Sequence, residues 1–315
     1  MRLPKKKLFL LITGRYDQIN FNLKEETLPS RVDKKTFNAF VPKVALNYKL
    51  TDRISLYGSY GFSYDSPAKN ELESFDPEYL YNPDLIPQET ESIEIGIKGF
   101  VINKNNYFFN RMQFEATFFN LNINNEIVPY EIYGEVYFRN AAETNRRGIE
   151  LGSQIRLINR LDVSFAYTFS DFIYNSYSAL SIEIDSVGNI VETENDFSGK
   201  IVPSVPRNNI YTSVSYSLPL VRNINGFAKL SYNGISGLWV DDANSNQTDG
   251  YQLINSVLGI DMNFGKLNIL VSGGMNNMLD EIYVGFTNTN SAEGRFYEAG
   301  APRNYFITAN VGYRF

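Results

Sequence analysis

Three acidic side chains stand close together at Glu89, Glu91 and Glu94, a grouping from which paired general acid–base carboxylates can be made. At a repeat of two residues, however, Glu89 and Glu91 share one face of the chain and Glu94 lies on the other. No acid–base pair is expected. A second group of oxygen donors, Asp241-Asp242-Ala243-Asn244-Ser245-Asn246, has the chemistry to take calcium. It lacks the glycine and distal glutamate of an EF-hand loop and reads instead as a solvated external loop. The 315 residues include no His and no Cys. That removes Ser-His-Asp and Cys-His nucleophiles, His- or Cys-ligated zinc, haem axial ligation by His or Cys, iron–sulfur clusters and any disulfide framework. No catalytic residue, resident metal or cofactor is expected.

The elements that would carry a binding site are legible from composition and period. Net charge is −6, so general nucleic-acid binding, which needs surplus Lys and Arg, is not expected. No apolar run approaches the 18 residues of a spanning helix; near the start the longest is Leu8 to Ile12. Aromatic content is high at 15%. Tyr has an apolar body and a polar tip, and aromatics at strand ends sit well at the headgroup level of a bilayer.

The apolar residues repeat at two, not 3.6. Ile54, Leu56, Tyr60, Phe62 and Tyr64 alternate with Ser55, Tyr57, Ser59 and Ser63; Ile93, Ile95 and Ile97 alternate with Ser92, Glu94 and Lys98. The same holds for Ile149, Leu151, Ile155 and Leu157, for Leu161 to Phe169, and for Tyr305 to Phe315. Further strands are expected near 7–23, 37–50, 110–124, 207–218, 226–240, 252–264 and 266–283, about twelve in all. Segment 110–124 changes phase: Phe114, Ala116 and Phe118 share one face, then Phe119, Leu121 and Ile123 take over. A bulge and a departure from the bilayer both account for this.

Connections alternate in length. Short links are expected near 51–53, 159–160 and 264–266, with somewhat longer ones near 101–109 and 219–226. Long polar links are expected near 24–36, 65–90, 125–140, 175–205, 241–250 and 284–303. This is the rhythm of an outer-membrane barrel, with short periplasmic turns, long external loops and both chain ends on the periplasmic side. A closed antiparallel sheet pairs every backbone N–H and C=O, as lipid demands. A soluble sandwich or propeller also alternates, but many of these strands run ten residues or more and the chain ends within one. The fold expected is all-β, an antiparallel transmembrane β-barrel of about twelve meandering strands, with no compositional boundary across 1–315.

Four stretches resemble the barrel domain of TonB-dependent outer-membrane receptors. The first is Asn82-Pro83-Asp84-Leu85-Ile86-Pro87-Gln88 followed by Glu94-Ile95-Gly96-Ile97-Lys98, with Gln88 where the family usually has Glu. The second is Tyr137-Phe138-Arg139-Asn140-Ala141 through Arg147-Gly148-Ile149-Glu150; the third is Asn277-Met278-Leu279-Asp280-Glu281-Ile282-Tyr283; the fourth is Gly300-Ala301-Pro302-Arg303 leading to Phe315. Together they cover essentially the whole chain. The family carries a twenty-two-stranded barrel preceded by a plug domain and a TonB-contacting box. The resemblance therefore implies that 1–315 is the C-terminal half of such a barrel, a fragment with the plug absent. Met1 to Gly14 has Lys5–Lys7 before an apolar run, but the run is short for a signal peptide and no small-residue cleavage site follows.

The resemblance implies a receptor and transporter in the outer membrane of a Gram-negative bacterium, not an enzyme. Its partners would be outer-membrane lipid, a scarce nutrient, TonB acting through a plug, and the barrel-assembly machinery. An iron chelate of the siderophore type is the expected nutrient; cobalamin and oligosaccharides remain open, and the lack of His counts against haem. Ligand contacts are expected from Tyr130, Tyr133, Tyr137, Arg139, Arg146, Arg147 and Glu150, and from Arg295, Phe296, Tyr297 and Arg303 in the last loop. Arg suits carboxylates through paired hydrogen bonds, and Tyr suits aromatic groups by stacking. The alternative for Arg146 and Arg147 is pairing with interior carboxylates on neighbouring strands. Tyr313 and Phe315 match the terminal signal read by the assembly machinery. Two other functions stay open: a self-contained twelve-stranded passive channel, and a soluble all-β carbohydrate-binding protein.

Overall fold

A computed structural model describes residues 7–24, 32–103, 109–132, 135–157, 160–184, 190–289 and 297–315. Twelve strands form one antiparallel meander. They are β1 (Leu8–Lys24), β2 (Val32–Lys49), β3 (Ile54–Asp65), β4 (Gln88–Ile102), β5 (Phe109–Ile132), β6 (Glu135–Leu157), β7 (Leu161–Ile184), β9 (Asn208–Val221), β10 (Ile224–Ile235), β11 (Tyr251–Phe264), β12 (Leu267–Asn276) and β15 (Asn304–Tyr313). β8 (Ile190–Asp196) pairs with the far end of β7, and β13 (Val284–Thr287) pairs with β14 (Tyr297–Ala299) in a separate ribbon. Among the described residues no ladder joins β1 to β15, so the sheet has two edges.

Turns at one end are tight. β9 and β10 are joined by Arg222-Asn223 alone, shorter than the sequence suggests, and β11 and β12 by Gly265-Lys266. Asn223 and Gly265 take φ of 68° each, a left-handed value that these two residue types tolerate. The opposite end departs from expectation in a different way. Segments expected as long polar loops near 125–140 and 175–205 are largely strand, because β5–β6 and β7–β8 continue as hairpins beyond the others. Their polar, Tyr-rich sequence lacks the lipid-facing apolar row. Above the bilayer that row is not needed, and the hairpins close instead on a small core of Val128, Ala142, Tyr174 and Tyr177.

The sheet curves so that one face is concave. A single cavity of about 690 Å³ touches Lys98, Glu115, Gln154, Ser164, Tyr211, Ser213 and Lys229, side chains from six consecutive strands, which only a common inner face can bring together. The alternate residues point outward. Leu10, Leu46, Leu56, Ile95, Phe118, Ile149, Leu230 and Leu258 are large, exposed and without a second layer of protein over them. This excludes the sandwich and propeller readings: the greasy rows face a solvent of lipid, and the sheet is a barrel wall.

The ladders also settle the phase change in β5. The register with β4 runs unbroken from Glu89↔Asn124 to Ile102↔Arg111, so no bulge lies at Phe118–Phe119. The outward row is Phe114, Ala116, Phe118 and then Asn120 and Asn122; the inward row is Gln113, Glu115, Thr117 and then Phe119, Leu121 and Ile123. The strand has left the hydrocarbon. β1 and β2 do the same, with Gln18, Asn20, Asn38 and Thr36 outward above the apolar residues and Phe21 and Phe37 turned inward. There the segment between β3 and β4 folds over them, and Leu72, Tyr81 and Leu85 complete the core.

Inward aromatic rings lie across glycines on the next strand. Tyr57↔Gly96, Phe119↔Gly148, Phe227↔Gly259 and Phe306↔Gly274 are direct cross-strand partners. A Cβ on any of these glycines would sit 2.3–2.6 Å from the ring opposite. Each pair fixes register by letting a ring cover bare backbone.

Candidate ligand-facing wall at the external end

The tall strands β5, β6 and β7 build the upper wall. The β5–β6 register shifts between Ile123 and Ile127, where Asn125 has φ of 56°. This irregularity brings Glu126 against β6. Its carboxylate accepts the Thr144 hydroxyl at 2.7 Å and pairs with Arg146. Thr144 is fully buried, and the Arg146 guanidinium also lies over the Phe172 ring at 5.9 Å. The interior-carboxylate pairing therefore holds for Arg146.

Tyr130, Tyr137 and Arg139 come together. Tyr130 and Tyr137 are register partners with ring centroids 6.1 Å apart, and Arg139 lies over the Tyr130 ring at 5.8 Å. Phe75 packs edge-on against Tyr137 at 5.5 Å. Arg139 also donates to the Ser178 carbonyl. Burial pushes the Tyr130 hydroxyl pKa up, and the bond from Tyr137 to Glu135 raises that of Tyr137, so both stay neutral donors. Arg139 and Arg146 each leave a buried Nε without a hydrogen-bond partner among the described residues.

The other candidates are dispersed. Glu150 shares the inward face of β6 with Arg146, opposite Thr117 and lower in the wall. Arg147 lies on the outward face, where it pairs with Asp171 at 2.7 Å. Tyr297 sits on the β13–β14 ribbon, and the Arg303 backbone N–H donates to Asp280 Oδ1 at 3.0 Å. Tyr313 and Phe315 stack edge to face at 5.3 Å, both exposed, with Tyr313 at the end of the outward row of β15. Tyr133, Arg295 and Phe296 lie outside the described residues.

Sequence reasoning missed a polar latch between distant elements. The Tyr174 hydroxyl donates to Asp242 Oδ1 at 2.7 Å, and the Tyr174 and Tyr177 rings lie 4.7 Å apart. All three side chains are buried. Burial, then the Asp242 charge, pushes both hydroxyls well above the ordinary tyrosine value. Nothing in the spacing of Tyr174 and Asp242 announces a contact. Asp241, read as part of an open loop, instead caps its own turn, accepting from the Ser245 and Asn246 backbone N–H groups at 2.8 Å each. Glu91 accepts the Tyr60 hydroxyl at 2.6 Å on the outward face. Among the described residues no group of three or more Asp or Glu is arranged to hold a metal.

The four short stretches turn out to be braces in two pairs. Asn140 accepts from the Ile86 N–H at 2.8 Å and donates to the Ile86 carbonyl at 2.8 Å, while the Asn82 side chain donates to the Phe138 carbonyl at 3.1 Å. The first and second stretches are thereby joined. Asn277 exchanges 2.8 Å bonds with the Glu281 backbone and donates to the Ala301 carbonyl at 3.2 Å, joining the third to the fourth. Gly300 belongs there because a Cβ would lie 2.3 Å from the Tyr283 ring.

The model of the family described as TonB dependent receptor-like, beta-barrel, matches residues 1–278. The chain belongs to the TonB-dependent receptor β-barrel family. Among curated relatives, the ferrioxamine B receptor of Salmonella typhimurium is 25% identical over 305 residues, which is 96% of this chain and 38% of the receptor. Two solved structures are similar throughout. The ferric preacinetobactin receptor BauA of Acinetobacter baumannii is 17% identical, with a TM-score of 0.66 over 98% of this chain and 40% of its own. The copper transporter OprC is 15% identical, with a TM-score of 0.69 over 98% of this chain and 46% of its own. At those identities the structures speak to the fold. This chain thus spans less than half the length of these relatives. As a TonB-dependent receptor barrel wall it resides in the outer membrane of Gram-negative bacteria.

Proposed function

We propose that this chain supplies part of the barrel of a receptor that imports an iron chelate of the siderophore class, with TonB acting through a plug. The family match over residues 1–278 carries this reading. The ferrioxamine B receptor among its curated relatives favours an iron chelate over other cargo. The chemistry of the upper wall is compatible: Arg139 and Arg146 keep unused buried N–H groups, and Tyr130, Tyr137 and Phe75 present stacked rings. Tyr297, Arg303 and Glu150, with Tyr133, Arg295 and Phe296, complete the proposed contacts, and Tyr313 with Phe315 forms the proposed assembly signal.

The twelve-stranded passive channel is disfavoured by the two unpaired edges at β1 and β15, each a row of unsatisfied backbone groups in lipid. Those edges support the reading that 1–315 is a portion of a wider barrel domain. The test is uptake of radiolabelled iron presented as a siderophore chelate by cells expressing the intact receptor. Uptake abolished by loss of the receptor or of TonB supports the proposal. Iron accumulation unchanged by either loss refutes it.

A further inference from the structure

Arg147 and Arg207 share one acidic partner on the lipid side of the sheet. Arg147 donates to Asp171 Oδ2 from Nε at 3.0 Å and Nη2 at 2.7 Å; Arg207 reaches Asp171 Oδ1 from Nη2 at 3.4 Å. The ladders fix the face. Arg147 is opposite Asp171, and two residues along, Ile149 is opposite Phe169, which is in turn opposite Asn208. Arg207 precedes that strand, its carbonyl accepting from the inward Ser170 N–H, and its guanidinium reaches the outward face through Asp171 and Phe169. Ile149 and Leu151 of that row are among the exposed hydrophobics.

The depth is fixed by the same row. Below the two arginines the outward face is apolar, with Phe118, Ile149 and Phe169; the Arg207 guanidinium lies over the Phe169 ring at 5.5 Å. At and above them it is Asn120, Asn122 and Asn145, joined by amide hydrogen bonds of 2.7–2.9 Å. The guanidiniums therefore stand at the boundary between hydrocarbon and headgroups, in the external leaflet. Both are more than half exposed, at 53% and 56%, whereas the Asp171 side chain between them is 13% exposed. Two positive charges around one carboxylate leave a net positive group, and among the described residues most of their N–H donors have no acceptor beyond Asp171. Glu91 and Glu89, outward carboxylates on β4, are two strands away, and Glu91 is bonded to the Tyr60 hydroxyl. Asp171 and Arg207 also line a cavity of about 210 Å³ with Trp239 and Gln247.

We infer that Arg147 and Arg207 form a binding site for the headgroup phosphate of an anionic lipid in the external leaflet. A guanidinium fork matches phosphate oxygens. An annular lipid held at this depth would present its phosphate to the arginines and its acyl chains to Phe118, Ile149 and Phe169. Asp171 aligns the two forks and, being half of their charge, limits affinity. The site lies on the lipid face and is independent of the cargo.

The test uses the intact receptor in neutral detergent, titrated with lipid A as probe, with dephosphorylated lipid A and inorganic phosphate as comparison arms. Retained lipid is counted by native mass spectrometry. Wild-type protein is expected to retain lipid A and to exchange it poorly for either comparison ligand. R147Q with R207Q should weaken retention by roughly thirty-fold, from the usual contribution of a basic side chain at an anionic surface. Single R207Q removes the 3.4 Å contact to Asp171 and the exposed packing over Phe169 and leaves the Arg147–Asp171 pair in place, so it tests the site in a protein that keeps its fold. D171N should strengthen retention, a direction that a purely structural ion pair does not give. Lys98→Gln with Lys229→Gln removes equal charge from the inner face and should change nothing. Retention insensitive to Arg147 and Arg207, or equal binding of dephosphorylated lipid or of inorganic phosphate, would overturn the inference.

Discussion

Tyr16 and Phe40 stand directly opposite each other across β1 and β2 at the level where the outward face of the sheet turns from apolar to polar. Below them on that face are Leu8, Leu10, Ile12, Val44 and Leu46; above them are Gln18, Asn20, Thr36 and Asn38. The Tyr16 hydroxyl donates upward to Asn38 Oδ1 at 3.0 Å, its ring remaining with the hydrocarbon. Rings at this depth are what a bilayer interface selects. The same boundary passes Phe62 and Glu91 on β3 and β4, and Phe118 and Asn120 on β5.

That boundary sets the cost of a charge. Ile95→Arg, in the middle of the apolar row on a central strand, should destabilise the membrane-inserted protein by about 2–4 kcal/mol, and Asn122→Arg, outward but above the boundary, by about 0–1 kcal/mol. Denaturant titration of the intact receptor in vesicles measures both. Equal costs would place the two residues at one depth and contradict the boundary.

The glycines opposite aromatic rings make a second contrast within one strand. At Gly148 a Cβ would meet the Phe169 carbonyl at 2.3 Å and the Phe119 ring at 2.6 Å, whereas at Gly152 nothing lies within 4 Å. Gly148→Ala should cost about 1–3 kcal/mol through forced displacement of the ring and backbone. Gly152→Ala should fall within about 0.5 kcal/mol of wild type. The same unfolding titration separates them.

Arg146 and Arg147 are neighbours in sequence on opposite faces, so their substitutions should have different consequences. Arg146→Gln removes a charged donor from the proposed chelate-facing wall and should weaken iron-chelate binding about ten-fold or more, the usual scale for a hydrogen bond to a charged group. Arg147→Gln should leave chelate affinity unaltered. Fluorescence quenching titrations with the ferric chelate read both.

Asp241 gives the pH dependence of the loop between β10 and β11. Burial alone would raise its carboxyl, but the N–H groups of Ser245 and Asn246 outweigh it and hold the folded-state pKa below the ordinary value. A depressed carboxylate contributes stability that is complete above the unfolded value of about 3.9 and is lost as pH falls through the folded value. Proteolytic opening of residues 236–250 should therefore stay constant from neutrality down to about pH 4 and rise only below it. Asp241→Asn should open the loop at neutral pH and flatten that profile.

The wall was legible in the sequence because lipid and water impose a two-residue rhythm that no soluble helix shares, as in Ile93, Ile95 and Ile97. The upper structure was not. Above the bilayer the rhythm has no solvent contrast to report, so the hairpins of β5–β6 and β7–β8 read as loops. Contacts such as Tyr174 with Asp242, 68 residues apart, leave no local trace. The short stretches were legible as signatures but not as what they do: Asn140 and Asn277 hold backbones together across gaps of 54 and 24 residues. Arg147 shows the converse. Its type suggested ligand binding, and only the register revealed that it faces lipid.

The lipid-facing row is tested most directly on β5, in a chain without cysteine, so that no thiol within residues 1–315 competes with an introduced label. Single cysteines at each position from Met112 to Ile123 in the intact receptor, spin-labelled in bilayers, report access to oxygen dissolved in lipid and to a chelate dissolved in water. Labels at 112, 114, 116 and 118 should be oxygen-accessible, and those at 120 and 122 should meet the chelate. Labels at 119, 121 and 123 should be shielded from lipid despite their apolar neighbours. If positions 119, 121 and 123 collided with oxygen as freely as 114, 116 and 118, the strand would not leave the bilayer at Phe118, and its inner and outer rows would not be those of a barrel wall.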